Sequence, residues 1–240
     1  MTYFGFHLRF NLPILALLGI LSGPALVQPG SLAAVGLVLL AVFVFTIPWD
    51  NYAAAKGIWG FPRDRFSLQI LWLPLEEYLF FAVQALQAML LVRAICDRFG
   101  AFETIASTAP LADRAPALGL LLLGWAVAGC FLHRRARGRF HYAWHLLYWF
   151  APVLSLQWII GWEILLPRIA ILAAVTALLG TYLSLADRIA IRSGIWWIDP
   201  RQTTGHRIGR HLPWEEACFF YLTSLLVAQS YLLLLPEPLR

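Results

Sequence analysis

Two glutamate pairs stand in a chain that is otherwise greasy. Glu76 and Glu77 sit in LPLEEYLFF, residues 73–81, and Glu215 and Glu216 sit in LPWEEACFF, residues 212–220. Each pair follows a proline and leads into two phenylalanines, Phe80-Phe81 and Phe219-Phe220. Proline followed by acids is a good helix start, because the first turn needs no amide hydrogen and favours negative charge. Helix capping therefore accounts for any one of these glutamates. It accounts less well for the same phrase written twice. Neighbouring residues project about 100° apart on a helix, so one glutamate of each pair can face a bundle while the other faces water. Glu77 is followed two turns later by Gln84, and Glu216 by Thr223. That polar track points to the second glutamate of each pair as the inward one.

A second phrase is also doubled. Asp50-x6-Gly57-Ile58-Trp59 precedes the first pair, and Asp187-x6-Gly194-Ile195-Trp196 precedes the second. Carboxyl groups turned into one dry space can share a proton and serve as acid and base. Asp50, Asp187 and the four glutamates are the candidate acid–base residues, since carboxylates inside a membrane bundle are functional candidates by default. Trp59 and Trp196 hold matching positions and are the candidates for stabilising a cation over their ring faces. Trp49, Trp197 and Trp214 read more simply as an interfacial belt.

The elements that position these groups are membrane helices. Of 240 residues, 60% are hydrophobic and 13% charged, against roughly 25% charged in a soluble domain. The mean hydropathy is +0.71. Seven apolar stretches are long enough to span a bilayer: about 6–26, 31–49, 73–92, 115–133, 141–160, 166–186 and 213–235. The first also has the makings of a signal peptide, with small residues from Ser22 to Ala25. A retained helix is preferred, because the repeat needs it. The aspartates are 137 residues apart and the proline–glutamate phrases 139, as are Pro13 and Pro152. The expected fold is thus an all-α membrane protein with two parallel three-helix repeats, 1–110 and 139–240, joined by a connector helix and basic loop at 111–138. Corresponding helices are four spans apart, so both acid sets fall at one face. Each aspartate ends a span and each glutamate pair starts the next. Of the 18 basic residues, 13 fall on the side of the N-terminus, which puts that end in the cytoplasm and the C-terminus outside. The run HRRARGR, 133–139, is a topology anchor in this reading.

Several chemistries drop out. The net charge of +5 is almost all arginine, with Lys56 the single lysine, and it belongs to topology rather than to nucleic acid. Cys96, Cys130 and Cys218 are too scattered for a disulfide framework or a thiolate metal site. His141 and His145 share a helix face but have no companion ligands, so no metal is expected. There is no GxGxxG, no Walker loop, no aspartate-rich diphosphate motif and no lysine in the last span for a retinal-type pigment.

PWDNYAAAKGIW (48–59) with LPLEEYLFF, and DRIAIRSGIWWI (187–198) with TTG (203–205) and LPWEEACFF, resemble the membrane-integral lycopene cyclase family. The resemblance spans essentially the whole chain and is most specific over 48–81 and 187–226. It implies a cofactor-free, non-redox cyclisation of the acyclic ends of lycopene to β-rings, giving γ- and then β-carotene. It implies Glu76, Glu77, Glu215 and Glu216 as functional acids, with Asp50 and Asp187 as matched polar positions and the paired phenylalanines against substrate. Glu216 or Glu215 is the favoured acid, with Glu77 or Glu76 as its partner. The halves depart from each other: Ala217-Cys218 stands where the first half has Tyr78-Leu79, and Ser193 stands opposite Lys56. The implied partners are an acyclic carotenoid and membrane lipids, with no nucleic acid and self-association left open. Two rival readings are a proton-coupled transporter and a membrane terpene cyclase for another prenyl substrate. The transporter wants a polar path across the membrane, whereas these acids crowd one face.

Overall fold

The computed structural model describes residues 1–22, 27–99, 110–135 and 138–236, with the side chains of 111 and 132–135 left aside. Ala25, Arg137, Arg240 and the side chains of Arg134 and Arg135 therefore lie outside the described residues. The protein is mostly helical. Helix α1 runs Tyr3–Ser22 and includes a π turn at His7–Asn11. It is followed by α2 Pro29–Ala55, α3 Leu75–Phe99, α4 Ala115–Arg135, α5 His141–Leu165, α6 Ile169–Arg192 and α7 Trp214–Leu234. Among the described residues, six stretches are long and apolar enough to cross a membrane. One of them, Gly138–Arg192, contains both α5 and α6, which a short 3₁₀ turn at Leu166–Arg168 separates.

Burial divides the helices. Helix α3 is largely enclosed by its neighbours, whereas α4 buries nothing in its apolar window. Leu120, Leu122, Leu123 and Val127 on α4 are all more than 60% exposed within the protein. An apolar surface of that kind needs a non-aqueous surround. Helix α4 is tied to α5 by the Arg114–Glu163 ion pair and by Trp125 Nε1, which donates to the carbonyl of Tyr148 at 3.2 Å.

Both aspartate-bearing helices run one to two turns past their aspartates, to Ala55 and Arg192. The apolar runs end sooner because polar residues continue these helices into the loops. Both then stop in the same way. Gly57 and Gly194 take φ of +65° and +63°, a conformation in which a Cβ is penalised. Ile58 N donates to Ala53 O and Gly57 N to Ala54 O, while Ile195 N donates to Ala190 O and Gly194 N to Ile191 O. Each is a Schellman closure that satisfies the last carbonyls of its helix. The repeated Gly-Ile-Trp phrase is thus first of all a helix stop.

The two loops that follow fold over one end of the bundle. Strand β1 (Trp59–Gly60) pairs antiparallel with β4 (Trp197–Ile198), with Gly60 opposite Trp197. Each loop returns through a small hairpin, β2 (Gln69–Ile70) with β3 (Leu73–Pro74), and β5 (Arg207–Ile208) with β6 (Leu212–Pro213). Those hairpins deliver the chain to the glutamate-bearing starts of α3 and α7.

Helix α6 packs closely on α7 because Gly180 has no side chain. A Cβ there would meet the Tyr221 ring at 2.8 Å and the Tyr221 Cα at 3.2 Å. Gly180→Ala is expected to cost about 1–3 kcal/mol through overpacking, visible as a lower melting temperature in detergent with no change of oligomeric state.

Candidate active site

Four carboxyl groups, Asp50, Glu77, Asp187 and Glu216, line one cavity of about 40 Å³ under the loop layer. No Lys or Arg is among its lining residues. Each carboxyl is held by an aromatic donor. Trp59 Nε1 donates to Asp50 Oδ1 at 2.6 Å, and Trp196 Nε1 donates to Asp187 Oδ1 at 2.7 Å. Tyr3 OH donates to Glu77 Oε2 at 2.6 Å, and Tyr142 OH donates to Glu216 Oε2 at 2.5 Å. The rest of the wall is aromatic: Trp49, Phe61, Phe80, Phe219 and Phe220 all face the cavity, with Ile198 from the loop. Four carboxyls around one small space without a lining cation form a set able to share protons.

Glu76 and Glu215 lie elsewhere. Glu76 Oε1 accepts from the backbone N and the hydroxyl of Ser67, both at 3.1 Å. Glu215 Oε1 accepts from Thr204 N at 2.6 Å and Thr204 Oγ1 at 2.7 Å. The first glutamate of each pair thus reaches back to the loop ahead of its helix and fastens it. Burial alone does not separate the two kinds, since Glu76, Glu215 and Glu216 are all under 10% exposed. Direction does: Leu73 and Pro74, and likewise Leu212 and Pro213, set the start of each helix so that successive glutamates point to loop and cavity in turn. Glu215→Gln is expected to keep most activity while costing about 1 kcal/mol of stability. Glutamine still accepts at that site, and only the charge-assisted share of two bonds is lost. Melting temperature and product yield, measured together, check this.

Of the other candidates, Trp59, Trp196, Phe80, Phe219 and Phe220 line the carboxyl cavity. Phe81 does not. It lines a second cavity of about 190 Å³ between α2, α3, α5 and α7, together with residues such as Val42, Phe45, Ala85 and Val153. Phe219 lines both cavities and marks where they meet. Gln84 and Thr223 bond directly, Nε2 to Oγ1 at 2.6 Å, one helical turn beyond the phenylalanines.

The sequence reading gave no role in the site to Tyr3, Trp49, Phe61, Tyr142 or Ile198, all of which line the cavity. Tyr3 and Tyr142 carry no motif, yet both stand 74 residues before the glutamate they bond. That equal spacing is the signal a search for repeated pairs would have found. Trp49 is 2% exposed and is no part of an interfacial belt. It lies between His145 and Phe219, with centroids 5.2 Å and 5.1 Å away and rings nearly parallel.

Helix α1 is fastened by a buried polar chain. His7 Nε2 meets the carbonyl of Glu76 at 2.9 Å, and Nδ1 meets the Asn11 amide nitrogen at 2.9 Å. The carbonyl can only accept and the amide nitrogen only donate, so this network assigns the proton to Nε2. At the end of the π turn the Asn11 carbonyl accepts from Gln87 Nε2 at 2.9 Å. These contacts set the register that brings Tyr3 to Glu77. His141 and His145 are engaged separately, with Gln202 and the Trp49 carbonyl. Among the described residues no three His, Cys, Asp or Glu side chains gather as metal ligands.

The family model described as lycopene cyclase matches residues 3–95 and 138–234. The chain belongs to the lycopene cyclase family. The two matched blocks contain every carboxyl of the cavity and leave α4 outside. Among related proteins, the lycopene beta-cyclase of Halobacterium salinarum is 34% identical over 206 residues, covering 84% of this chain and 81% of its own length. The bifunctional lycopene cyclase/phytoene synthase of Phaeosphaeria nodorum is 30% identical over 233 residues, covering 92% of this chain and 39% of that longer protein. That of Arthroderma gypseum is 30% identical over 246 residues, covering 95% of this chain and 40% of its own. No solved structure matches the chain.

Proposed function

We propose that this protein is a lycopene β-cyclase that closes the acyclic ends of lycopene by proton addition and proton loss, giving γ- and then β-carotene. The observation that carries the reading is the shared cavity: Glu77 and Glu216, each held by a tyrosine, face one aromatic-walled space inside a member of this family. Glu216 is the proton donor in this scheme, because it stands one turn from Phe219, where the larger apolar cavity begins. It adds a proton to the terminal C=C, leaving a tertiary cation. The next double bond along the chain attacks that cation and closes a six-membered ring, which moves the positive charge onto the ring. Glu77 takes a ring proton, and the electron pair of that C–H bond becomes the new ring double bond. One proton enters and one leaves, so nothing is oxidised or reduced.

The aromatic walls have two tasks here. Trp59, Trp196, Phe80, Phe219 and Phe220 present ring faces that stabilise the cation, and the enclosed space keeps water from trapping it. Asp50 and Asp187 hold the two tryptophans and complete the proton-sharing set. Glu76 and Glu215 act on the loops and not on the substrate.

The doubled contacts also support an architecture of two parallel three-helix repeats, 1–110 and 139–240, around a pseudo-twofold axis along the membrane normal. Residues at matching positions meet at that axis, as Gly60 does with Trp197 and Gln84 with Thr223. The chain would cross the membrane seven times, with α5 and α6 as separate spans and residues 111–138 as connector. The arginine distribution favours a cytoplasmic N-terminus in the cell membrane, which puts the acid cavity near the cytoplasmic face.

The test is expression in a lycopene-producing bacterium with analysis of the pigment. Monocyclic and bicyclic β-ring carotenoids are expected. Unchanged lycopene, with the protein present in the membrane, would overturn the reading.

A further inference from the structure

The larger cavity has a shape and a position that the acid chemistry does not explain. Its wall on α7 runs from Phe219 through Thr223 and Leu226 to Ser230. At 1.5 Å per residue those eleven steps cover about 16 Å along the helix. A volume of about 190 Å³ spread over that length is a narrow slot. Three of its polar residues are already engaged: Gln84 donates to Thr223, and Ser230 accepts from Gln157 Nε2 at 2.8 Å. Its inner end meets the carboxyl cavity at Phe219, and on its flank lies Ala41, an exposed residue of α2.

The slot is lined from both halves of the molecule, by α2 and α3 of the first and by α5 and α7 of the second. Phe45 lines it, whereas the matching residue across the axis, Tyr182, donates its OH to the Phe10 carbonyl at 2.8 Å.

We infer that the slot between α2, α3, α5 and α7 holds the polyene arm of the substrate while one end group lies among the four carboxyls. This rests on the cyclase reading and adds to it the path and direction of the substrate. The occupant is a linear, apolar, conjugated chain, because the slot is long, thin and apolar and shares its Phe219 wall with the site that acts on the chain's end. The four carboxyls share one small cavity, so each binding event closes one ring. The monocyclic product leaves and returns reversed for the second.

Substitutions that fill the slot test this without touching an acid. Ala41→Phe and Val153→Phe project into it, whereas Val44→Phe, at a 68% exposed position of α2 that does not line it, serves as control. Initial rates are measured in membranes at graded lycopene content, with protein level and melting temperature alongside. The two filling variants are expected to lose about tenfold or more in rate at low lycopene, with Val44→Phe unchanged, as a misfitted bound chain implies. Equal rates for all three variants at equal protein level would overturn the slot. Ala41 is exposed, so its variant has room to fold and carries the test alone where Val153→Phe does not accumulate. A chase of isotope-labelled lycopene with excess unlabelled lycopene then reads the direction. Labelled monocyclic carotenoid should accumulate before the labelled bicyclic form, and its conversion should slow as the excess rises. Labelled bicyclic product formed with no response to the excess would overturn one ring per binding event. An inactive wild-type protein would instead strike the cyclase reading.

Discussion

Glu216→Gln is expected to lower lycopene cyclisation at least a hundredfold, since general acid–base catalysis by a positioned side chain contributes about 10²–10⁴-fold. Glutamine keeps the shape and can still accept from Tyr142 OH, which stands 2.5 Å from Glu216 Oε2. What it loses is the proton that can be given to an alkene. The fold should therefore survive and the chemistry should not. Glu77→Gln is expected to show a loss of similar size with one added signature. With the donor intact, a ring cation still forms, but its proton is no longer taken at the usual place. Isomeric rings with a displaced double bond should then appear among the residual products. Pigment analysis by chromatography and absorbance, normalised to membrane-inserted protein, reads both variants. Wild-type yields from either would remove that glutamate from the mechanism. The contrast with Glu215→Gln matters most, because it sets two adjacent glutamates against each other on geometry alone.

The second large effect is expected at the aspartates. Asp50→Asn and Asp187→Asn retain an oxygen at the position that accepts from Trp59 or Trp196, so the indoles stay in place. Each removes a carboxyl from the proton-sharing set. A fall of about tenfold or more in cyclisation is expected from either, with melting temperature nearly unchanged, if proton sharing rather than tryptophan placement is what they supply. Asp50→Ala or Asp187→Ala should add a stability cost of about 1–3 kcal/mol, because a buried indole N–H is left without its acceptor. Full activity in both asparagine variants would reduce the aspartates to anchors for the two tryptophans.

These two predictions rest on different kinds of legibility. The four glutamates and two aspartates were all visible as doubled motifs, because a carboxyl in an apolar run stands out against its neighbours. The polar track through Gln84 and Thr223 pointed to the second member of each pair as the inward one, but nothing in the sequence named the partner of either member. Glu76 and Glu77 differ in what lies opposite: the Ser67 backbone N–H for one, the Tyr3 hydroxyl for the other. Those partners come from different elements, and no local pattern records them. Trp49 shows the same limit from the other side. Beside a proline near the end of an apolar run it reads as an interfacial residue, yet α5 and α7 pack over it and put His145 and Phe219 on its two faces.

The amino-acid sequence by itself determined the membrane-helical class, the doubled Asp…Gly-Ile-Trp…Pro-x-Glu-Glu pattern, and the family to which the chain belongs. These depend on composition, spacing and glycine's freedom at positive φ, which are properties of short stretches. Only the tertiary structure decided that Glu77 and Glu216 turn to one cavity, that Tyr3 and Tyr142 hold them, and that an apolar slot lies between α2, α3, α5 and α7. Those depend on how far apart helices settle. Gly180 lets α7 close onto α6, whereas a gap stays open between α2 and α7 that no single stretch of sequence specifies.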